Sequence, residues 1–69
     1  MNTLDKKIGE NLRKIRKAQG VSQDALALKL GIASRQVQKY EKGVNRIALS
    51  RAVDICEMLK IDIKKLIKN

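Results

Sequence analysis

Sixty-nine residues make one small domain and leave no room for two cores. Sixteen Lys and Arg against seven Asp and Glu give a net charge of +9, an excess that favours polyanions, nucleic acid before anionic lipid, unless it serves only solubility. With no His and a single cysteine, Cys56, neither a zinc site nor an internal disulfide is expected, and no run approaches the ~20 apolar residues that span a bilayer.

The opening residues, MNTLDKKIGE, lack the apolar core of a signal peptide, so a soluble, cytoplasmic protein is the expectation. Leu4, Ile8, Leu12 and Ile15 recur at helical spacing and draw one stripe along a first helix, closed by Gly20. Gly9 inside that helix costs roughly 1 kcal/mol relative to Ala. A close approach by a neighbouring helix would account for it; simple tolerance is the alternative. Ser22 is placed to cap a second helix, QDALALKL, with Asp24 in its first turn. Gly31 ends that helix, and a third runs through SRQVQKYEKG to Gly43. After the loop VNRI, a fourth helix sets Leu49, Ala52, Ile55, Cys56 and Leu59 on one stripe. Asp62 caps a last turn or two, IKKLIK, whose Leu66 and Ile67 are expected to fold back on the core. Nothing alternates with period two. The expected fold is therefore all-α, a compact five-helix bundle forming a single domain over residues 1–69.

The second and third helices meet at a turn centred on Gly31. Ala27 is small where the two would cross, and Gly31 permits the positive φ of a sharp turn. Leu26, Leu30, Ile32, Val37 and Tyr40 occupy the positions that would point into a shared core. Together these requirements specify a helix-turn-helix more narrowly than any single helical period does.

At about 100° per residue, Ser34, Gln38, Lys42, Arg35 and Lys39 share a polar arc of about 140° on the third helix, opposite Val37 and Tyr40. A merely solvated face would mix in acids, and this arc has none. Arg binds guanine bidentately, Gln suits adenine, and Lys suits guanine or phosphate, so the face has the chemistry of a major-groove reader. Glu41, the only acid of the segment, projects near the buried edge. A half-buried pair with Arg16 of the first helix is expected, with an independent solvated Glu41 as the alternative.

The run IGENLRKIRKAQGVSQDALALKLGIASRQVQKYEKG resembles the phage Cro/CI-repressor type of helix-turn-helix domain, also called the xenobiotic-response-element type. The resemblance extends from Ile8 to about Ile67 and implies a lambda-repressor-like bundle that binds double-stranded operator DNA, commonly as a two-fold homodimer on an inverted repeat. It implies base reading by Ser34, Arg35, Gln38 and Lys39, and phosphate contact by Gln23, Lys42, Asn45 and Arg46. It also matches Arg16 and Glu41 to a structural ion pair. Two cap positions depart from the pattern: Ala33 and Ala48 stand where the family usually has Ser or Thr, and Ser, respectively. Either Ser34 shifts the third helix's cap by one, or the helix goes without, at about 1 kcal/mol.

The function expected is a sequence-specific transcriptional regulator, a small bacterial or phage repressor. The alternative is an antitoxin or adaptor that mainly grips a protein partner; the end of the chain at Asn69 weighs against the antitoxin. Lys60, Lys64, Lys65 and Lys68 crowd the region where family members often dimerise, so pairing through Leu66 and Ile67 would meet repulsion. A basic amphipathic tail on a membrane surface is a further alternative. An enzyme is not expected: there is no His, no glycine-rich phosphate loop, and Cys56 lies on a buried stripe. No metal, cofactor or small-molecule ligand is expected.

Overall fold

A computed structural model describes residues 3–68; Met1, Asn2 and Asn69, the ends of the expected 1–69 span, lie outside the described residues. Five helices follow in order: α1 (Thr3–Ala18), α2 (Gln23–Leu30), α3 (Ser34–Glu41), α4 (Leu49–Leu59) and α5 (Ile63–Ile67). No strand occurs among the described residues. α3 packs on both α1 and α2, while α5 closes the other end against α1 and α4.

Each joint has a local cause. Gly20 takes φ 70°, and Val21 N–H reaches back to Arg16 O at 3.0 Å, stopping α1. Ser22 then accepts from Ala25 N–H through its hydroxyl oxygen and starts α2. Gly31, also at φ 70°, lets Ile32 N–H bond Ala27 O at 3.0 Å, which turns the chain sharply into α3. Asp62 accepts from Lys64 N–H at 2.9 Å and opens α5. The end of α4 has no glycine. Lys60 adopts φ 55° there, a left-handed conformation that costs an L-residue roughly 1–2 kcal/mol.

Ala33 and Ala48 precede α3 and α4 in extended conformation without a side-chain cap. Ser34 does not take over as cap, since its hydroxyl is engaged elsewhere. Substituting Ala33→Ser supplies the missing acceptor at φ −74°, ψ 147°. The expected gain is about 1 kcal/mol, or a Tm higher by roughly 4–8 °C for a domain this size in thermal denaturation followed by circular dichroism.

Leu12, Leu26, Val37, Ile55 and Leu66 are fully enclosed, and each such burial stabilises the fold by about 1.5–3 kcal/mol. Tyr40, Ala52, Cys56 and Leu59 are also buried, with Ile8, Ile15, Leu30 and Ile32 packed around them. Three expected core residues fall outside. Leu49 is 76% exposed, Leu4 48% and Ile67 47%. Leu4 and Leu49 sit a turn ahead of Ile8 and Ala52, beyond the edge of the core. Ile67 follows Leu66 by about 100° on the helix, so only one of the two can face inward. Leu66 is that one, which removes it from any dimer contact.

Side chains distant in sequence, from α1, the turn after it and α4, bond carbonyls at three helix C-termini. Asn11 Nδ2 donates to Leu66 O at 2.9 Å and Lys68 O at 2.6 Å. Gln19 Nε2 donates to Leu59 O at 2.7 Å, and Arg51 Nη1 to Leu30 O at 3.3 Å. Such bonds satisfy carbonyls that a helix end leaves without intrahelical partners.

Candidate nucleic-acid interface

α3 packs on α1 and α2, and a buried ion pair sets its position. Arg16 Nε donates to Glu41 Oε2 at 2.6 Å and its Nη2 to Oε1 at 3.1 Å, a two-pronged bond between side chains only 8% and 3% exposed. The same guanidinium donates from Nη1 to Val21 O at 2.8 Å. Gln23 Nε2 adds a bond to Glu41 Oε1 at 3.0 Å. One carboxylate thereby joins α1, the start of α2 and the end of α3. Because a carboxylate only accepts, the Gln23 amide must turn its NH2 toward Glu41, leaving one amide hydrogen for another acceptor.

With Glu41 held inward, the outer face of α3 carries Arg35, Gln38, Lys39 and Lys42, all exposed, beside a half-buried Ser34. Arg35 and Lys39 form a ridge flanked by two clefts. On one side Gln23, Gln38, Glu41, Lys42 and Arg13 line a cleft of about 310 Å³. On the other, Gln36, Tyr40, Asn45, Arg46 and Arg51 contribute to a more open groove of about 670 Å³. The sequence-expected residues therefore divide into a ridge (Arg35, Lys39), a cleft (Gln23, Gln38, Lys42) and a groove (Asn45, Arg46), with Ser34 at the head of the helix. Arg46, its side chain 70% exposed, is not without a partner: Nε donates to Asp5 Oδ2 at 3.3 Å.

Three cations or amides absent from the sequence-based set line these clefts: Arg13, Gln36 and Arg51. Arg13 stands three residues before Arg16, hence on the same side of α1, and that spacing was the available signal. Gln36 falls outside the polar arc of α3, and the place of Arg51 depends on how the loop of residues 42–48 sets α4 against α3, so neither had such a signal.

Ser34 Oγ donates to Asp24 Oδ1, linking the N-termini of α2 and α3. Asp24 is thus an acid at the margin of an otherwise cationic face. Among the described residues, no three Cys, Asp or Glu side chains stand together as a metal-binding group. No helix among them is long and apolar enough to cross a membrane. Burial, with the Asp62 carboxylate adding to it, pushes the Cys56 thiol above its ordinary range, which keeps it protonated and a poor nucleophile.

Comparison with known proteins gives the same architecture. The chain is 41% identical over 61 residues to an uncharacterised HTH-type transcriptional regulator of Sinorhizobium fredii, covering 88% of this chain and 43% of that protein. A similar regulator of Rhizobium meliloti is 40% identical over 62 residues, covering 90% and 45%. The chain therefore spans less than half the length of these relatives. Among solved structures, the restriction-modification controller protein C.AhdI from Aeromonas hydrophila superposes with a TM-score of 0.83 at 31% identity, covering 88% of this chain and 92% of that one. The DNA-binding domain of BldD reaches 0.86 at 24% identity, covering 97% and 99%, a likeness of fold. The HTH_3 helix-turn-helix family model matches residues 12–66, the span from the first enclosed leucine of α1 to the last one in α5. On that match, and with the glycine-turned α2–α3 pair at its centre, the chain belongs to the HTH_3 helix-turn-helix family.

Proposed function

We propose that this protein is a sequence-specific double-stranded DNA-binding transcriptional regulator, a repressor, that lays α3 in the major groove. The observation that carries the reading is the face of α3: Arg35, Gln38, Lys39 and Lys42 exposed together, with the helix's one acid turned inward onto Arg16. Ser34, Arg35, Gln38 and Lys39 contact base edges. Gln23, Lys42, Asn45 and Arg46 meet phosphates from the two flanking clefts, joined by Arg13. Cations on phosphate supply most of the affinity, and the α3 side chains supply the choice of sequence. The regulator names of the relatives favour DNA over a protein partner as the target of this face.

The protein acts in the cytoplasm as a homodimer, and two subunits read half-sites of an inverted repeat about 34 Å apart. Leu49 and Val53, one turn apart on α4 and both exposed, offer apolar area for the second copy. Lys64 and Lys65 of α5 flank Leu66, which is enclosed in its own subunit, so α4 is the better contact.

Selection from a random duplex pool at about 0.15 M salt, where non-specific phosphate binding is weakened, tests the reading. An inverted repeat with half-sites one helical turn apart is the expected product; no enrichment refutes it. On the selected site, Arg35→Ala is expected to cost about 1–3 kcal/mol at one base pair, measured by titrating single-base variants. A loss spread evenly over all sequences would instead make Arg35 a phosphate contact.

A further inference from the structure

Ser34 is the first residue of α3 and Asp24 the second of α2, so their hydrogen bond brings both helix N-termini to one point beside Arg35 and Gln38. A serine hydroxyl has one hydrogen to donate and two lone pairs with which to accept, whereas a carboxylate only accepts. The hydrogen of Ser34 is therefore committed to Asp24, in a charge-assisted bond stronger than one to a neutral base edge. What Ser34 presents outward is acceptor alone.

Base edges in the major groove differ in this respect. Adenine N6 and cytosine N4 are donors, while guanine N7 and O6 and thymine O4 are acceptors. The geometry points to Asp24 as a positioning residue that fixes the polarity of Ser34, so that Ser34 selects adenine or cytosine on the strand it faces and rejects guanine and thymine. Asp24 touches no base itself; it acts through the hydroxyl. The first turn of α2 favours a carboxylate at Asp24, although one at the margin of the α3 face weakens the attraction for phosphate; its bond to the α3 hydroxyl has a reason of its own in this role. Capping does not supply that reason for the bond, because α3 has no side-chain cap and Ser34 makes none.

The inference rests on the DNA-binding reading proposed above, and the experiment separates the two. The wild-type protein is first put through the duplex selection; if no sequence is enriched, the regulator reading fails and this inference falls with it. With a site in hand, every base pair is varied and binding measured for wild type, Ser34→Ala and Asp24→Ala, each checked for folding by thermal denaturation. Ser34→Ala is expected to flatten discrimination at one position, where wild type favours adenine or cytosine by about five- to tenfold. Asp24→Ala frees the hydroxyl to donate, so guanine and thymine there come within about twofold of the preferred bases, while affinity for all sequences rises.

Three results would overturn the inference while leaving the DNA reading in place. Ser34→Ala could flatten no position, wild type could favour guanine or thymine at that position, or the base ratio could survive in Asp24→Ala. An Asp24 that only braced the fold would give the last of these, with a lower Tm and weaker binding to every sequence alike.

Discussion

Gly9→Ala is expected to destabilise the domain by about 2 kcal/mol or more, although alanine is the better helix former. The sign is decided by what the added methyl meets. A Cβ at Gly9 would lie 2.3 Å from Tyr40 O and 2.9 Å from Glu41 O, both backbone atoms at the end of α3. Relief requires α1 and α3 to move apart, because no flexible side-chain tip is there to swing away. Overpacking of this kind costs up to about 3 kcal/mol or more, against a gain of roughly 1 kcal/mol in helix propensity. For a domain this small the net loss lowers Tm by about 10 °C. The comparison is Gly20→Ala, where nothing lies within 4 Å of the added carbon and only φ 70° is strained. That change should cost about 1–2 kcal/mol at most. Thermal denaturation of both variants checks the ranking; a Gly9→Ala protein more stable than wild type would mean that α1 and α3 yield to the added methyl at little cost. Separating the two helices would also displace Glu41 from Arg16, so Gly9→Ala should weaken DNA binding even at temperatures where it stays folded.

Gly9 also illustrates which parts of the molecule are legible from its sequence. A glycine in mid-helix poses a question that only a close neighbour answers well, but the identity of that neighbour, Tyr40 and Glu41 some thirty residues on, becomes definite only when the helices are packed. Features with a local cause are the readable ones. Ser22 caps α2 because its hydroxyl oxygen reaches Ala25 N–H three residues on, and Gly31 turns the chain because its φ is positive. The face of α3 is readable for a similar reason, since helical geometry alone sets Arg35 and Lys39 opposite Val37. Long-range bonds leave no such trace. Asn11 looks like any surface polar residue of α1, and its hold on Leu66 O spans fifty-five positions. Lys60 gives no sign that it will take the left-handed conformation glycine usually fills. The helical stripe also overreaches at its ends: Leu49 and Leu4 keep the period but pass the edge of the core. Asp24 could be placed in the first turn of α2 from sequence, yet its engagement with Ser34 depends on the angle between α2 and α3.

The second large effect is expected at the ion pair. Glu41→Ala should cost about 3–5 kcal/mol, because it leaves the Arg16 guanidinium buried without its anion. Domains of this kind carry total stabilities of about 5–10 kcal/mol, so the variant should unfold near or not far above room temperature. Three donors lose their acceptor at once: Arg16 Nε, Arg16 Nη2 and the Gln23 amide. An exposed pair would behave otherwise, with a cost of about 1 kcal/mol or less. The residual exposures of 8% and 3% place this one in the buried class.

The double variant Arg16→Met, Glu41→Met separates the worth of the pair from the penalty of a lone charge. Removing both ions also removes both desolvation costs, and apolar replacements of similar volume are often close to neutral. The remaining deficits are the bonds from Arg16 Nη1 to Val21 O and from Gln23 Nε2 to Glu41 Oε1, about 1 kcal/mol each at most. Urea denaturation should therefore place the double variant well above Glu41→Ala, and within about 1–2 kcal/mol of wild type. DNA binding should not recover in parallel. With Glu41 gone, the Gln23 amide loses the partner that orients it toward the cleft it shares with Gln38 and Lys42. The double variant is expected to fold yet bind the selected operator less tightly than wild type, with base preference at the Arg35 position retained. A double variant as unstable as Glu41→Ala would show that the loss comes from packing at the α1–α3 junction rather than from an unpaired charge.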